Sequence, residues 1–572
     1  MVFSVIKKVL RRNLWLVFVL VIDIAIVVVA GLLPAQIIRV VVDSYLSVGI
    51  NAGLLVMASY YLLVIAISCL FDFIKQILLV VLGEKITKEI RLTMSTKLRT
   101  IRTQYFSDNE YGVIASRFTN DVDAINSMFT EGLIGLVIDL LKICGIIITM
   151  FFFDVTFGFI TLAAIPVIFV ITRIFQHFML KAQMKSRKLI GKVNNHIAES
   201  LRNIRMIKIF SVEPFMKKRY ANYLNDNYKA VESVNFLDSL YPPIVVLMRG
   251  ILIVVIVLAA AGLLGTLSVS VGIVAGSVEL MTSLFTPIES LGMELQGIQQ
   301  SVSGIKRVNE FGNEADEEPK MKITAPEVVP DRSKLVIHFN KVCFGYEKDQ
   351  VVLADIEITV DALEKATFIG RTGVGKTTLF RLIMGLLKPT SGSITVNGVD
   401  VYKIPNEIKH QIFGYVDQSF LSLNGTIKDQ ITLGNDYSDE MVWQTLDFIG
   451  LKAYVSGLEK GFNTPYETGL FSQGERQLLS IGRGIIANPP ILLLDEMTAN
   501  LDSLTEARIN AVLEKASLSR TILSISHLLS SINDADKVIY IENGRVRASG
   551  SKEEVLSLDD FRKELEIEKL WR

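Results

Sequence analysis

The stretch Gly370-Arg371-Thr372-Gly373-Val374-Gly375-Lys376-Thr377-Thr378 has the residue types and spacing to hold a polyphosphate. It fits G-x-x-x-x-G-K-[ST], follows the apolar run Ala366–Ile369, and precedes a helical pattern over Thr378–Leu386. Glycines let the backbone wrap phosphate oxygens, while N–H groups and a helix N-terminus point at the anion. Lys376 is placed to bridge β- and γ-phosphates, and Thr377 to ligate Mg²⁺. A second segment, Ile491-Leu-Leu-Leu-Asp495-Glu496, ends an apolar strand pattern on two carboxylates. Asp495 is suited to hold Mg²⁺ through water, and Glu496 to position or deprotonate an attacking water. Together they point to hydrolysis of ATP with Mg²⁺ as cofactor.

These residues need a scaffold. From about Leu335, short β-like runs alternate with helical patterns: Leu335–Phe339, Thr367–Ile369, Ile394–Val396, Phe413–Val416, Ile491–Leu494, Thr521–Ile525 and Lys537–Ile541. That alternation predicts an α/β domain over residues 333–572. Residues 313–332, rich in Glu, Lys, Pro and Asp, read as an exposed linker.

Residues 14–312 have a different texture. Six apolar stretches, Leu14–Val42, Leu54–Leu82, Leu133–Phe153, Val155–Phe175, Pro242–Leu264 and Val271–Leu291, each reach the ~20 residues that cross ~30 Å of hydrocarbon. Residues 1–13 place Lys7, Lys8, Arg11 and Arg12 among Val, Ile and Leu, and are expected to form an amphipathic helix on the membrane surface. No small-residue cleavage site follows them, which argues against a signal peptide. Lys and Arg crowd two segments, Lys85–Arg117 and Lys181–Lys229, and are missing near Asp43–Gly53, Asp154 and Gly265–Ser270. Both basic segments and both termini are therefore assigned to the cytoplasm. Residues 84–128 and 176–238 keep a helical period, so spans 2 to 5 are expected to continue into the cytoplasm as helices. Tyr105–Ser116 and roughly His196–Ile209 are the candidate turns or crosswise helices between them.

The 572-residue chain has a mean hydropathy of +0.42 and no net charge, with 59 Lys+Arg against 59 Asp+Glu. The zero is a cancellation. Residues 1–310 carry 30 Lys+Arg against 21 Asp+Glu, a surplus of nine that residues 311–572 offset. The surplus follows the membrane bias, which leaves no case for nucleic-acid binding. Three cysteines, Cys69, Cys144 and Cys343, cannot make a disulfide framework and read as packing residues. Inside the spans, Asp72 with Lys75 and Asp139 with Lys142 are spaced to pair on one helix face. Asp23, Arg249 and Glu279 lack such a partner and are candidates to line a polar substrate cavity.

The segment Phe471-Ser472-Gln473-Gly474-Glu475-Arg476 resembles the signature of the ATP-binding cassette (ABC) family, usually LSGGQ. Other elements follow in family order. Tyr346 in Val342-Cys-Phe-Gly-Tyr346 is similar to the aromatic that stacks on adenine. Gln418 matches the loop glutamine that links Mg²⁺ to the membrane domain. Ala499-Asn-Leu-Asp502 matches the aspartate loop, and His527 the switch histidine at the γ-phosphate. Phe106-Ser-Asp-Asn through Asn120-Asp-Val-Asp123 resembles the first cytoplasmic coupling region of ABC exporters.

The resemblance implies a half-transporter: an all-α six-span membrane domain with cytoplasmic helical extensions, fused to an α/β P-loop ATPase with a helical signature subdomain. It implies a second chain as partner, a homodimer or a related heterodimer mate, because each ATP site needs the signature residues Ser472, Gln473, Gly474 and Glu475 of the opposite chain, and Asp502 beside them. Four features depart from the family pattern. Gln473 replaces a glycine, Glu475 replaces a glutamine and would want a partner such as Arg476, the cross-talk loop Thr464-Pro-Tyr-Glu467-Thr-Gly469 is one residue short, and the aspartate loop begins Ala-Asn rather than Ser-Ala. Such variants occur in one half of heterodimers. The expected activity is export of a hydrophobic or amphipathic compound, drug-like or lipid-like, across a bacterial inner membrane. The alternatives are a dedicated peptide or siderophore-like exporter and an ATP-gated regulatory membrane protein.

Overall fold

In a computed structural model of the chain, the described residues are 1–46, 52–262, 269–318, 320–346, 350–371, 373–467, 469–495, 503–526 and 535–557. They divide into two compact units, Met1–Ile101 with Phe106–Ala315, and Arg102–Tyr105 with Asp316–Arg572.

The first unit is helical: α1 Val2–Arg12, α2 Leu14–Val41, α3 Ala52–Leu98, α4 Thr103–Asp108 (shared between the units), α5 Tyr111–Ser116, α6 Val122–Ser127, α7 Ile134–Phe153, α8 Val155–Arg202, α9 Ile204–Ile209, α10 Glu213–Ala260, α11 Val271–Ser283 and α12 Phe285–Asn313. Helix α1 buries Val2, Val5, Ile6 and Val9 at the 3–4 residue spacing of one helical face. Its lysines and arginines point out, and Lys8 Nζ reaches Glu89 at 2.7 Å.

Among the described residues six helical stretches are long and apolar enough to cross a membrane: Leu14–Tyr45, Gly53–Leu98, Tyr111–Phe153, Val155–Arg202, Glu213–Ala260 and Val271–Asn313. A 48-residue helix such as α8 is about 70 Å long, more than twice the hydrocarbon thickness, so much of it must lie outside the bilayer. Phe18, Leu63, Phe152 and Val254 are exposed, as a lipid-facing surface requires. Cys69 and Cys144, expected as packing residues, are exposed as well. The second crosswise segment is shorter than the sequence predicts. Helix α8 continues through His196 to Arg202 because His196-Ile-Ala-Glu-Ser-Leu-Arg202 contains no breaker, and only α9 forms the turn.

Polar ties fix this bundle at both ends. Asp43 accepts 2.6 and 2.7 Å hydrogen bonds from Ser270 Oγ and the Gly272 N–H, capping the start of α11. At the other end, Arg307 on α12 donates through Nε and Nη2 to Asp121, at 2.9 and 2.5 Å. The expected Asp72–Lys75 ion pair forms on α3.

The second unit holds β1 Ile337–Phe344, β2 Leu353–Val360, β3 Lys365–Ile369, β4 Ser391–Val396, β5 Val399–Asp400, β6 Phe413–Val416, β7 Ile491–Asp495, β8 Thr521–Ile525, β9 Lys537–Glu542 and β10 Arg545–Gly550. Its helices are α13 Ala325–Val328, α14 Lys376–Ile383, α15 Asn406–Ile412, α16 Ile427–Thr432, α17 Asp439–Phe448, α18 Lys452–Ser456, α19 Gln473–Ile485, α20 Ser503–Ser517 and α21 Lys552–Leu556.

Among the described residues one sheet has the order β10-β9-β3-β8-β7-β6, and the other β2-β1-β4-β5. β6, β7, β8, β3 and β9 run parallel, and β10 returns antiparallel along the edge. β7 is buried along its whole length, which explains its unbroken apolar run. Among the described residues two large cores form beside a smaller cluster of Ile369, Val538, Tyr540 and Val555. Phe339, Phe368, Phe380 and Leu493 belong to one, and Val416, Leu446, Phe471 and Leu479 to the other. Residues 313–332 are not wholly free of the fold: Lys320 Nζ donates to Tyr402 O at 2.6 Å and lies 4.0 Å from that ring's centre.

Candidate functional site

The loop between β3 and α14 is shaped by glycine. Gly373 and Gly375 hold φ of 87° and 101°, and a side chain at Gly370 would collide with Ile541 O. Lys376 opens α14, is buried, and donates through Nζ to Gly370 O at 2.6 Å and Arg371 O at 3.0 Å. Its ammonium is thus folded back over the loop, beside the helix N-terminus where an anion is favoured. The next residue, Thr377, is exposed, and Thr378 bonds the Tyr346 hydroxyl at 3.1 Å. Tyr346 therefore stands against α14, its ring edge-on to Phe344 at 5.0 Å. A cavity of about 600 Å³ opens beside the loop, lined by residues including Val351, Arg371, Gly373, Val374 and Tyr540. Thr372 lies outside the described residues.

β7 delivers Asp495, 5% exposed, to the end of the buried strand. Parallel pairing with β6 sets Tyr415 beside Leu493, and the Tyr415 hydroxyl donates to Asp495 Oδ2 at 3.4 Å. Burial, with Asp417 and Asp495 nearby, pushes this phenol well above the usual tyrosine range, so it remains a donor. The sequence reading passed over Tyr415; the signal was its place one strand over from the acidic turn. Gln418 is exposed two residues beyond β6. Glu496, Asp502 and His527 lie outside the described residues.

The signature residues start α19. Ser472 is its N-cap: Oγ accepts from the Glu475 N–H at 3.3 Å, and Glu475 Oε2 accepts from the Ser472 N–H at 2.8 Å. Glu475 is thus engaged by the helix's own backbone rather than by Arg476. Ser472 and Gln473 are exposed, and Gly474 is buried against Thr505 of α20.

The three proposed cavity residues stand on three helices, Asp23 on α2, Arg249 on α10 and Glu279 on α11. Asp23 is 3% exposed, and neither carboxylate oxygen has a hydrogen-bond partner among the described residues. Arg249 lies 5.4 Å from the Phe285 ring centre. Glu279 is half-buried on α11. A cavity of about 550 Å³ between α8 and α12 is lined by other residues, among them Phe169, Arg173, His177 and Gln299.

Comparison with known proteins gives a consistent result. Residues 15–288 match the family model for the ABC transporter transmembrane region, and residues 353–499 the model described as ABC transporter. The multidrug resistance ABC transporter ATP-binding and permease protein of Lactococcus lactis subsp. lactis is 28% identical over 89% of this chain and 86% of its own. The fatty acid ABC transporter ATP-binding/permease protein of Mycobacterium bovis is 25% identical over 83% of this chain and 75% of its own. The solved structure of a bacterial Atm1-family ABC exporter with ATP bound shares the fold, with a TM-score of 0.76, 23% identity and 96% of each chain covered.

Proposed function

The chain belongs to the ABC transporter family, its membrane and ATPase regions matched by that family's two models, and we propose that it is a half-transporter exporting a hydrophobic or amphipathic compound, drug-like or lipid-like. The observation that carries this reading is the joining of a Lys376-bearing phosphate loop to six membrane-length helices in one chain. The relatives named for multidrug resistance and fatty acids support the substrate class.

In this reading two chains pair head to tail. The Gly370–Thr378 loop of one grips the triphosphate, with Lys376 at the β- and γ-phosphates and Tyr346 against adenine. Ser472 to Glu475 of the other chain close the site, with Asp502 at the seam. Thr377, Gln418 and Asp495 are oxygen donors that suit Mg²⁺, which neutralises charge on the phosphates. Glu496 orients the attacking water, and His527 senses the γ-phosphate. Binding holds the pair together, hydrolysis releases it, and the cycle drives alternating access in the membrane unit. Asp23, Arg249 and Glu279 are proposed to face the transported compound. The partner is a second copy or a related chain, and the altered signature favours the related chain. The location is the inner membrane of a bacterium.

Glu496→Gln tests the reading in the purified, membrane-reconstituted assembly. It should retain bound ATP and lose turnover, and vesicle flux of the wild type should scale with ATP consumed. Full ATPase activity in Glu496→Gln would overturn the assignment.

A further inference from the structure

Three aromatic rings join the segment that carries Gln418 to the segment that carries Ser472. The Phe420 ring lies 5.9 Å from Tyr466, and Tyr466 is stacked at 12° and 6.1 Å on Phe471, the residue before Ser472. Phe471 is 3% exposed and braced edge-on by Tyr454 at 5.4 Å, whose hydroxyl donates to Leu470 O at 2.7 Å.

The near end of the row is clamped from the signature helix itself. Arg483 of α19 sets its guanidinium 4.7 Å from the Phe420 ring centre, and donates to Leu421 O at 3.1 Å and Gln430 O at 2.8 Å. The middle is held by backbone: Tyr466 N–H to Gly425 O at 2.8 Å, and Ile427 N–H to Thr464 O at 3.0 Å. Tyr466 belongs to the shortened loop Thr464–Gly469.

Resting on the ABC-type ATPase reading above, we propose that Phe420, Tyr466 and Phe471 form a relay that sets the position of Ser472 according to the segment following Gln418, with Tyr466 as a positioning residue for ATP hydrolysis. Phe471 is buried, and Phe420 and Tyr466 are half-buried against the same core; rigid rings packed in series leave little room to absorb a displacement of Phe420, so it is passed on. Arg483 ties the Phe420 end to the helix that Ser472 caps, which closes the loop of contacts.

The test is ATPase rate against ATP concentration for the membrane-reconstituted assembly and its Tyr466→Ala, Tyr466→Phe, Phe420→Ala and double Phe420→Ala/Tyr466→Ala variants, with melting temperatures taken in parallel. Tyr466→Ala should lower kcat about three- to tenfold, the rate equivalent of one aromatic pair, with KM for ATP within about twofold. Tyr466→Phe should keep wild-type kcat, because the ring and not the hydroxyl makes the stack. The double variant should be no slower than Tyr466→Ala alone, since one relay is broken once. Wild-type kcat in Tyr466→Ala, an equal loss in Tyr466→Phe, or multiplied losses in the double variant would overturn the relay. Tyr466→Leu, which keeps apolar volume without a ring, carries the same expectation as Tyr466→Ala should that variant not fold. Wild-type turnover and its loss in Glu496→Gln judge the parent reading separately.

Discussion

Glu475 Oε2 accepts a 2.8 Å hydrogen bond from the backbone N–H of Ser472, and Ser472 Oγ accepts one in return from the N–H of Glu475. The pair caps α19. An acid in the first turn is also favoured by the helix dipole, so the charge that replaces the usual signature glutamine has a structural use. Because Ser472 Oγ serves as an acceptor within the cap, its O–H proton is the group that the proposed phosphate contact would use.

Glu475→Ala and Glu475→Gln should therefore differ. Glu475→Ala removes the carboxylate's half of the capping box, while Ser472 Oγ still accepts from the backbone N–H at position 475; the lost hydrogen bond costs about 0.5–1.5 kcal/mol locally, and turnover should fall severalfold. Glu475→Gln can keep the bond to Ser472 N–H while removing a negative charge from the helix end proposed to meet phosphate. Its KM for ATP should drop below wild type at low ionic strength, with the gap narrowing as salt screens the charge. Titration of ATPase rate against ATP at two salt concentrations reads both effects.

The phosphate loop, the buried strand β7 and the signature helix were legible because each demands particular residues at fixed spacing. The cap is legible too, since Ser472 and Glu475 have the S-x-x-E spacing of a capping box. β2 and β10 were missed. Leu353-Ala-Asp-Ile-Glu-Ile-Thr-Val360 carries its strand signal as apolar/polar alternation rather than as an apolar run, and Arg545-Val-Arg-Ala-Ser-Gly550 is a polar edge strand with no apolar run to mark it. Tyr415 could be placed only once β6 was known to lie beside β7.

Gly474 lies inside α19, where alanine would ordinarily be the better helix former by about 1 kcal/mol. A Cβ there would meet Thr505 Cγ2 in hard contact. Gly474→Ala should therefore lose ATPase activity, and Thr505→Ala added to it should restore part of the loss by removing that methyl group. Equal activity in Gly474→Ala and wild type would show that α20 yields at no cost.

In the membrane unit, Asp121 is 5% exposed and bonded twice by Arg307. Asp121→Ala should destabilise the protein by about 1–3 kcal/mol, as expected for charge-assisted hydrogen bonds to a partner that remains half in solvent. The double variant Asp121→Ala/Arg307→Met should recover some of that, because no uncompensated charge is left. Thermal unfolding of the reconstituted protein measures both.

Lys409 gives a pH signature. Burial, reinforced by Lys320 and opposed by Glu317, lowers its pKa from 10.5 to about 8. Its ammonium donates to Gly385 O at 2.7 Å, which offsets only part of that cost. Below about pH 8 the lysine is charged in both folded and unfolded chains, and the full cost of burying the charge is present. Between about pH 8 and 10.5 the unfolded chain holds the proton and the folded chain releases it, so this residue's contribution to stability rises with pH. Lys409→Met removes the titration. The stability of Lys409→Met relative to wild type should therefore be greatest at neutral pH and decline as the pH rises from 8 towards 10. Parallel melting curves of the two proteins at pH 7, 8, 9 and 10 measure it, and a difference that stays flat or grows would show that Lys409 is not held in the buried, cation-disfavouring site described.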